Sequence, residues 1–331
     1  MTRRERIRRT LGGEKVDRPA MSFWRHFYHR EGDAESLASA MLEFQRAYDW
    51  DFMKVNPRAS YHVEDWGVRT KRPGDGPLDK PKVVRSVVRE PADWDGIRPK
   101  DPTKGVLGEM LDAQERIAAD LAGETDYVMT VFNPLSIAAD LVNDDAILLD
   151  HMRRHGERVH SALRAITETF AAFVHESLLR GASGIFFATT DWANSTRVSR
   201  DLMLEFGRPY DLRVLARAAG APLNTIHVCG PGAYVRDFLD YPVSVISWAA
   251  HEPANPSIRE LRSLTEKALL GGIDHEGTFV RGTPESIQSE ARAAIEASGG
   301  TRFILGPGCA VPSAAPGAGY GLVREAVLAC A

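Results

Sequence analysis

Eight short apolar runs punctuate the chain: AMSFW (20–24), DFMKV (51–55), YVMTVF (127–132), GIFFAT (184–189), NTIHVC (224–229), SVISWA (244–249), ALLGGI (268–273) and RFILG (302–306). None alternates cleanly between apolar and polar residues. Continuous apolar runs of this length suit strands buried on both faces, as parallel sheets require. Helical patterns separate them. LGEMLDAQERIAADLAG places Leu107, Met110, Leu111, Ile117 and Leu121 at amphipathic spacing and stops at Gly123. TPESIQSEARAAIEASGG opens on Thr283 as N-cap with Pro284 at the first helical position, and Gly299 and Gly300 close it. The stretch 145–180 is helical throughout with a break near Gly156, and its four histidines read as surface residues.

Strand followed by helix, eight times over, predicts an α/β fold: a (β/α)8 TIM barrel with its helices outside. The rival, a doubly wound open sheet, lacks its usual signatures here, since neither GxGxxG after the first strand nor GxxxxGK[ST] occurs. Residues 57–106 are rich in proline and charge and predict a hairpin or extended excursion over the barrel mouth. No linker or repeat divides the 331 residues, a length that α/β barrels reach as one domain.

Active sites of barrels sit where strands end, so the polar residues that close each run are the candidates. The first run is followed by Arg25, His26, His29 and Arg30, the second by Asn56, Pro57 and Arg58, and the third by Asn133 and Asp140. Asp191, Trp192 and Asn194 follow the fourth. His227 and Cys229 close the fifth, His251 and Glu252 follow the sixth, Asp274, His275 and Glu276 the seventh, and Cys309 the eighth. Residues two apart in a strand point to the same side, so His227 and Cys229 can face one ion while Cys309 approaches across the mouth. Two thiols and an imidazole form a nitrogen–sulfur set that zinc favours, with a fourth position open to substrate. The competing reading is a buried strand that happens to contain a thiol, because cysteine is among the most buried residue types. Arg25, Arg30 and Arg58 are candidates for binding an anionic substrate, Asp191, Asp274 and His251 for catalysis or further ligation, and Trp24, Trp66, Trp192 and Trp248 for the walls of an apolar pocket.

Composition narrows the class. A net charge of −4 argues against polyanion binding, so no nucleic-acid partner is expected. The basic N-terminal stretch TRRERIRRTLGGEK reads as a solvated helix. No run reaches the roughly 18–20 apolar residues of a membrane span, and no apolar segment follows the N-terminal charges as a secretory signal requires. Three cysteines build no disulfide framework, which points to reduced thiols and the cytoplasm. Cys330 reads as a tail residue.

IHVCGPG, VSVISWA, LLGGIDHEGTFVRGTPESI and GGTRFILGPGCAVPSAAPG resemble the uroporphyrinogen decarboxylase superfamily, whose members are (β/α)8 barrels, and the resemblance spans residues 1–328. The decarboxylases of that superfamily carry an RQAGR motif, an aspartate after the second strand, a tyrosine and a final-strand histidine. Here FWRHFYHRE, VNPRAS, the region of Asp140 and GPGC stand in their places. The corrinoid-dependent methyltransferases of the superfamily carry a His-x-Cys…Cys zinc motif instead, which His227, Cys229 and Cys309 match. The resemblance therefore implies Zn2+ and a methyl group moved from methylcobalamin on a partner corrinoid protein to a small-molecule thiol, coenzyme M being the best-known acceptor. It admits a homodimer. A metal-free decarboxylase on another carboxylated substrate is the alternative. A zinc lyase or hydrolase with Asp191 or Asp274 as base, and a binding barrel without turnover, stay open.

Overall fold

The computed structural model describes residues 1–330. Each of the eight apolar runs forms a strand: β1 (Ala20–Met21), β2 (Phe52–Val55), β3 (Asp126–Phe132), β4 (Gly184–Ala188), β5 (Thr225–Val228), β6 (Val245–Trp248), β7 (Ala268–Ile273) and β8 (Phe303–Pro307). Every neighbouring pair is parallel, in the order β2–β3–β4–β5–β6–β7–β8–β1. With helices around it, this is the expected single-domain TIM barrel. The pleat divides each strand between two cores. Phe52, Val128, Phe186, Val245, Leu270 and Ile304 pack inside the barrel. Their neighbours Met53, Met129, Ile185, Ile246, Leu269 and Phe303 face outward into the larger core under the helices. Burial on both faces is why the runs carry no polar alternation.

The seam between β1 and β2 is closed by a few groups rather than a full ladder. Asp51 N–H donates to the Met21 carbonyl at 3.0 Å, and Met21 N–H donates to Asp51 Oδ2 at 2.8 Å. Ser22 Oγ donates to the Phe52 carbonyl at 2.8 Å. The Asp51 carboxylate, fully buried, also accepts from Arg6 Nη1 at 2.6 Å and from Arg18 Nη1 and Nη2 at 2.8 and 3.0 Å. Arg6 lies on the basic N-terminal helix, Arg3–Gly12. That helix is therefore not simply solvated: Arg6 is buried because it neutralises Asp51 and Asp17.

The 57–106 excursion contains the short helix Tyr61–Glu64 and an antiparallel hairpin of Arg69–Lys71 with Lys82–Arg85. Helix Pro284–Ala297 is capped by the Thr283 side chain as its sequence predicts. Helix Gly105–Leu121 ends slightly early, with Ala122 in the left-handed region at φ 47° and Gly123 just beyond. The long 145–180 pattern divides at His155 into Asp145–Arg154 and Gly156–Leu179. Its histidines are not all on the surface. His151 is buried and accepts a hydrogen bond from Trp94 Nε1 at 3.0 Å, and His160 stacks on Phe206 at 4.3 Å between centroids. Imidazole rings fill apolar contacts well when one nitrogen is satisfied, a distinction that helical spacing does not carry.

Two predictions follow from buried carboxylates. Asp51→Ala leaves Arg18 without its counter-charge and Arg6 with Asp17 alone, so urea unfolding should show a loss of about 3–5 kcal/mol; a loss below about 1 would remove the seam from this role. Asp211, 1% exposed, accepts from Asn133 Nδ2 and the Tyr241 hydroxyl, each at 3.1 Å. Burial outweighs those bonds and pushes its carboxyl up to about 7. An unfolded aspartate releases its proton near pH 4. Between about 4 and 7 the folded chain thus holds a proton that the unfolded chain has lost, and stability falls as pH rises. Asp211→Asn mimics the protonated acid. Thermal melts across that window should show the wild type declining relative to the variant, and parallel curves would refute this.

Candidate metal centre at the barrel mouth

β5 carries Thr225 and His227 on its inward face, beside Ala188 of β4 and Ser247 of β6. Cys229 continues that face just past the strand. The chain then turns at Gly230, whose φ is 81° and where a Cβ would come 2.7 Å from Asn194 Nδ2. A side chain there would meet both unfavourable backbone and a filled space. Across the mouth, β8 ends at Pro307 and delivers Cys309 two residues later. Gly308 between them lies so close to His251 that a Cβ would sit 2.6 Å from its Cε1.

The ligand atoms of His227, Cys229 and Cys309 all lie within 4.8 Å of one another. The two sulfurs are 3.6 Å apart, and both cysteines are free. A disulfide needs about 2.05 Å, whereas two sulfurs each about 2.3 Å from a tetrahedral zinc stand about 3.8 Å apart. His227 Nδ1 lies 3.1 Å from the buried Ser247 hydroxyl. With Nδ1–H donating there, Nε2 presents its lone pair, and it is buried with no hydrogen-bond partner. An orphaned imidazole nitrogen beside two thiols fits a zinc ion, because the ion would satisfy all three donors at once. A hydrogen bond from the Cys229 thiol, helped by nearby His227, holds the Cys309 thiol well below its usual range despite burial. The same bond raises Cys229.

These groups border a cavity of about 820 Å³ at the mouth, walled also by Trp24, Phe186 and Trp192. A match to the family model for uroporphyrinogen decarboxylase (URO-D) runs from residue 2 to residue 328. The chain belongs to the uroporphyrinogen decarboxylase family. In structure, this family member is similar to a methyltransferase from Methanosarcina mazei, with a TM-score of 0.80 and 18% identity over 99% of this chain and 97% of that one. It is similar also to a B12-independent methionine synthase from Shewanella sp. W3-18-1 in complex with selenomethionine, with a TM-score of 0.61 and 14% identity over 94% and 95%. At these identities the likeness is one of fold. No curated protein sequence matches the chain.

The remaining candidate residues of this decarboxylase-family chain separate by position. Asp191 and Trp192 line the cavity, with Asp191 3.1 Å from Arg197 in an ion pair. Arg58 reaches the cavity wall, but its guanidinium is engaged by the Glu31 and Gly32 carbonyls and by Glu64 and Glu109. Arg25 and Arg30 do not line the cavity. Arg25 donates to the Ser313 carbonyl at 2.6 Å, and Arg30 pairs with Glu43 at 2.5 Å. His251 and Asp274 stand outside the cavity lining, 3.4 Å apart, in a second cluster with His275. There Asp274 Oδ1 accepts from the Glu276 and Gly277 amides and shapes the turn. Trp66 and Trp248 are core residues, their indole N–H groups bonded to the Arg98 and Pro256 carbonyls.

Two buried titratable residues of the cavity escape a search of strand ends. His62, from the excursion's short helix, is buried with Nε2 2.6 Å from Asp140 Oδ2. Lys54 sits inside β2 rather than after it, and only its parity with Phe52 in the strand places it inside the barrel.

Ser247 orients His227, so Ser247→Ala should weaken zinc affinity by about 10–100-fold in chelator competition while leaving the circular dichroism spectrum unchanged. Unchanged affinity would assign the serine to packing alone.

Proposed function

We propose that this family member is a zinc-dependent methyltransferase, with His227, Cys229 and Cys309 as ligands and a small-molecule thiol as acceptor. The observation that carries the reading is the buried, unpartnered Nε2 of His227 facing two sulfurs 3.6 Å apart at a large cavity. Three protein ligands leave one coordination position, the pattern of catalytic rather than structural sites. Zinc bound there supplies a Lewis acid that keeps an acceptor thiol deprotonated near neutral pH. The protein's own part is to hold the acceptor. Ser247 fixes the imidazole, the turn at Gly230 presents Cys229, and Trp24, Phe186 and Trp192 exclude water from the reacting sulfur.

The methyl donor in this reading is methylcobalamin carried by a partner corrinoid protein, docked over the open mouth. Support comes from the His-x-Cys…Cys pattern and from the fold shared with the Methanosarcina methyltransferase. No helix among the described residues is long and apolar enough to cross a membrane, and three free thiols, one of them exposed, agree with a reducing compartment such as the cytoplasm.

Protein purified without added zinc should contain close to one equivalent by mass spectrometry. Cys229→Ser and Cys309→Ser should each fall below about a fifth of that, and lose methyl transfer from methylcobalamin to a thiol together with the metal. Less than half an equivalent in the wild type, or full retention in both variants, would overturn the reading. A metal-free decarboxylase would instead stay active in chelator.

A further inference from the structure

Lys54 is 5% exposed, a burial that strips a charged amine of its hydration unless partners replace the water. Its partners are few. Nζ donates to Asn56 Oδ1 at 2.6 Å and stands 4.7 Å from the centroid of the Phe186 ring and 5.5 Å from that of Trp24. An ammonium has three N–H donors, and among the described residues no carboxylate pairs with this one. Folding alone does not account for such a residue.

Its position does suggest a task. The Lys54 amine borders the same cavity as His227, Cys229 and Cys309. The Phe186 ring that it faces also stacks on His227, with centroids 5.3 Å apart. Amine and imidazole ring centre are therefore no more than about 10 Å apart, within reach of a short chain that hydrogen-bonds the amine at one end and meets the cluster at the other. The other cations at the cavity are already engaged or remote. Arg58 and Arg197 are held in ion pairs, and Lys80 stands exposed at the rim.

We propose that Lys54 is the anion subsite of the active cavity and that the acceptor is a short mercaptocarboxylate, its carboxylate on Lys54 Nζ and its sulfur toward the His227–Cys229–Cys309 cluster. This rests on the methyl-transfer reading for the sulfur end and on Lys54 alone for the carboxylate end. Burial lowers the amine to about 7 against the opposing pull of Cys309 and Glu31, so an arriving carboxylate also restores the full charge of its partner. Trp24 and Phe186 flank the contact and keep it dry, which strengthens a charge-assisted hydrogen bond. A neutral acceptor of the same length leaves the amine without a counter-charge, and selectivity follows from that penalty.

Calorimetric binding of 3-mercaptopropionate and its uncharged amide, 3-mercaptopropionamide, tests the proposal on the zinc-loaded wild type, on Lys54→Met and on Cys229→Ser/Cys309→Ser. The wild type should prefer the acid by about tenfold or more. Lys54→Met should lose that preference, bind the amide as the wild type does, and keep its zinc content and melting temperature. A wild type that does not distinguish acid from amide, a Lys54→Met protein that still does, or loss of zinc in Lys54→Met overturns it. The double cysteine variant separates the two readings. If both hold, it weakens acid and amide equally and keeps their ratio. If acid and amide bind the double variant as tightly as the wild type, with the ratio intact, the metal–sulfur reading fails and the lysine subsite stands.

Discussion

A parallel barrel must join its first strand to its last neighbour, and here that join rests on one buried carboxylate. β1 has only two residues and shares no continuous ladder with β2. Asp51 supplies what the ladder lacks: its backbone amide and its side chain bond Met21 from both directions, and Arg6 and Arg18 neutralise it. A charge so placed is tolerable only because each oxygen has partners. Closure of this seam fixes the face of β2, and through it the inward aim of Lys54. It also holds β1 against β8, on whose far end Cys309 sits.

The mouth carries the opposite economy. At the seam each oxygen of Asp51 is matched, while at the mouth His227 Nε2 and His62 Nδ1 have no hydrogen-bond partner among the described residues and Lys54 Nζ has a single one. Native interiors seldom leave such groups unpaired. Three such groups border one cavity, where the proposed ion and anion would complete them. The order of groups is also informative: sulfur and nitrogen donors lie together at the strand ends, a cation lies deeper in the barrel, and aromatic rings line the cavity beside both.

Much of this was legible in the chain. The eight apolar runs marked the eight strands to within a few residues because double-sided burial leaves no polar positions in them. The HxC spacing and its placement at a strand end put His227 and Cys229 on one face, and the eighth run indicated where Cys309 would approach. Other candidates shared the same sequence context and separated only in space. Arg25, Arg30 and Arg58 all follow strands, yet their guanidinium groups are held by Ser313, Glu43, Glu64 and Glu109. His251 and Asp274 close strands too, but belong to a neighbouring cluster rather than the cavity. Arginine pairing depends on residues 6 to nearly 300 positions away, and no local pattern reports it.

Sequence by itself therefore determined the barrel, the order of its elements and the meeting of one imidazole with two thiols, since these follow from periodicity and from where strands end. Tertiary structure alone decided which charges remain free. Lys54 reads as an unremarkable polar residue within DFMKV, and becomes a buried cation only when strand parity turns it inward and closure of the barrel surrounds it. Whether a charged side chain is a surface group, a structural pair or a binding site depends on the dielectric and the partners around it. Those are properties of the folded neighbourhood, brought together from elements far apart in the chain.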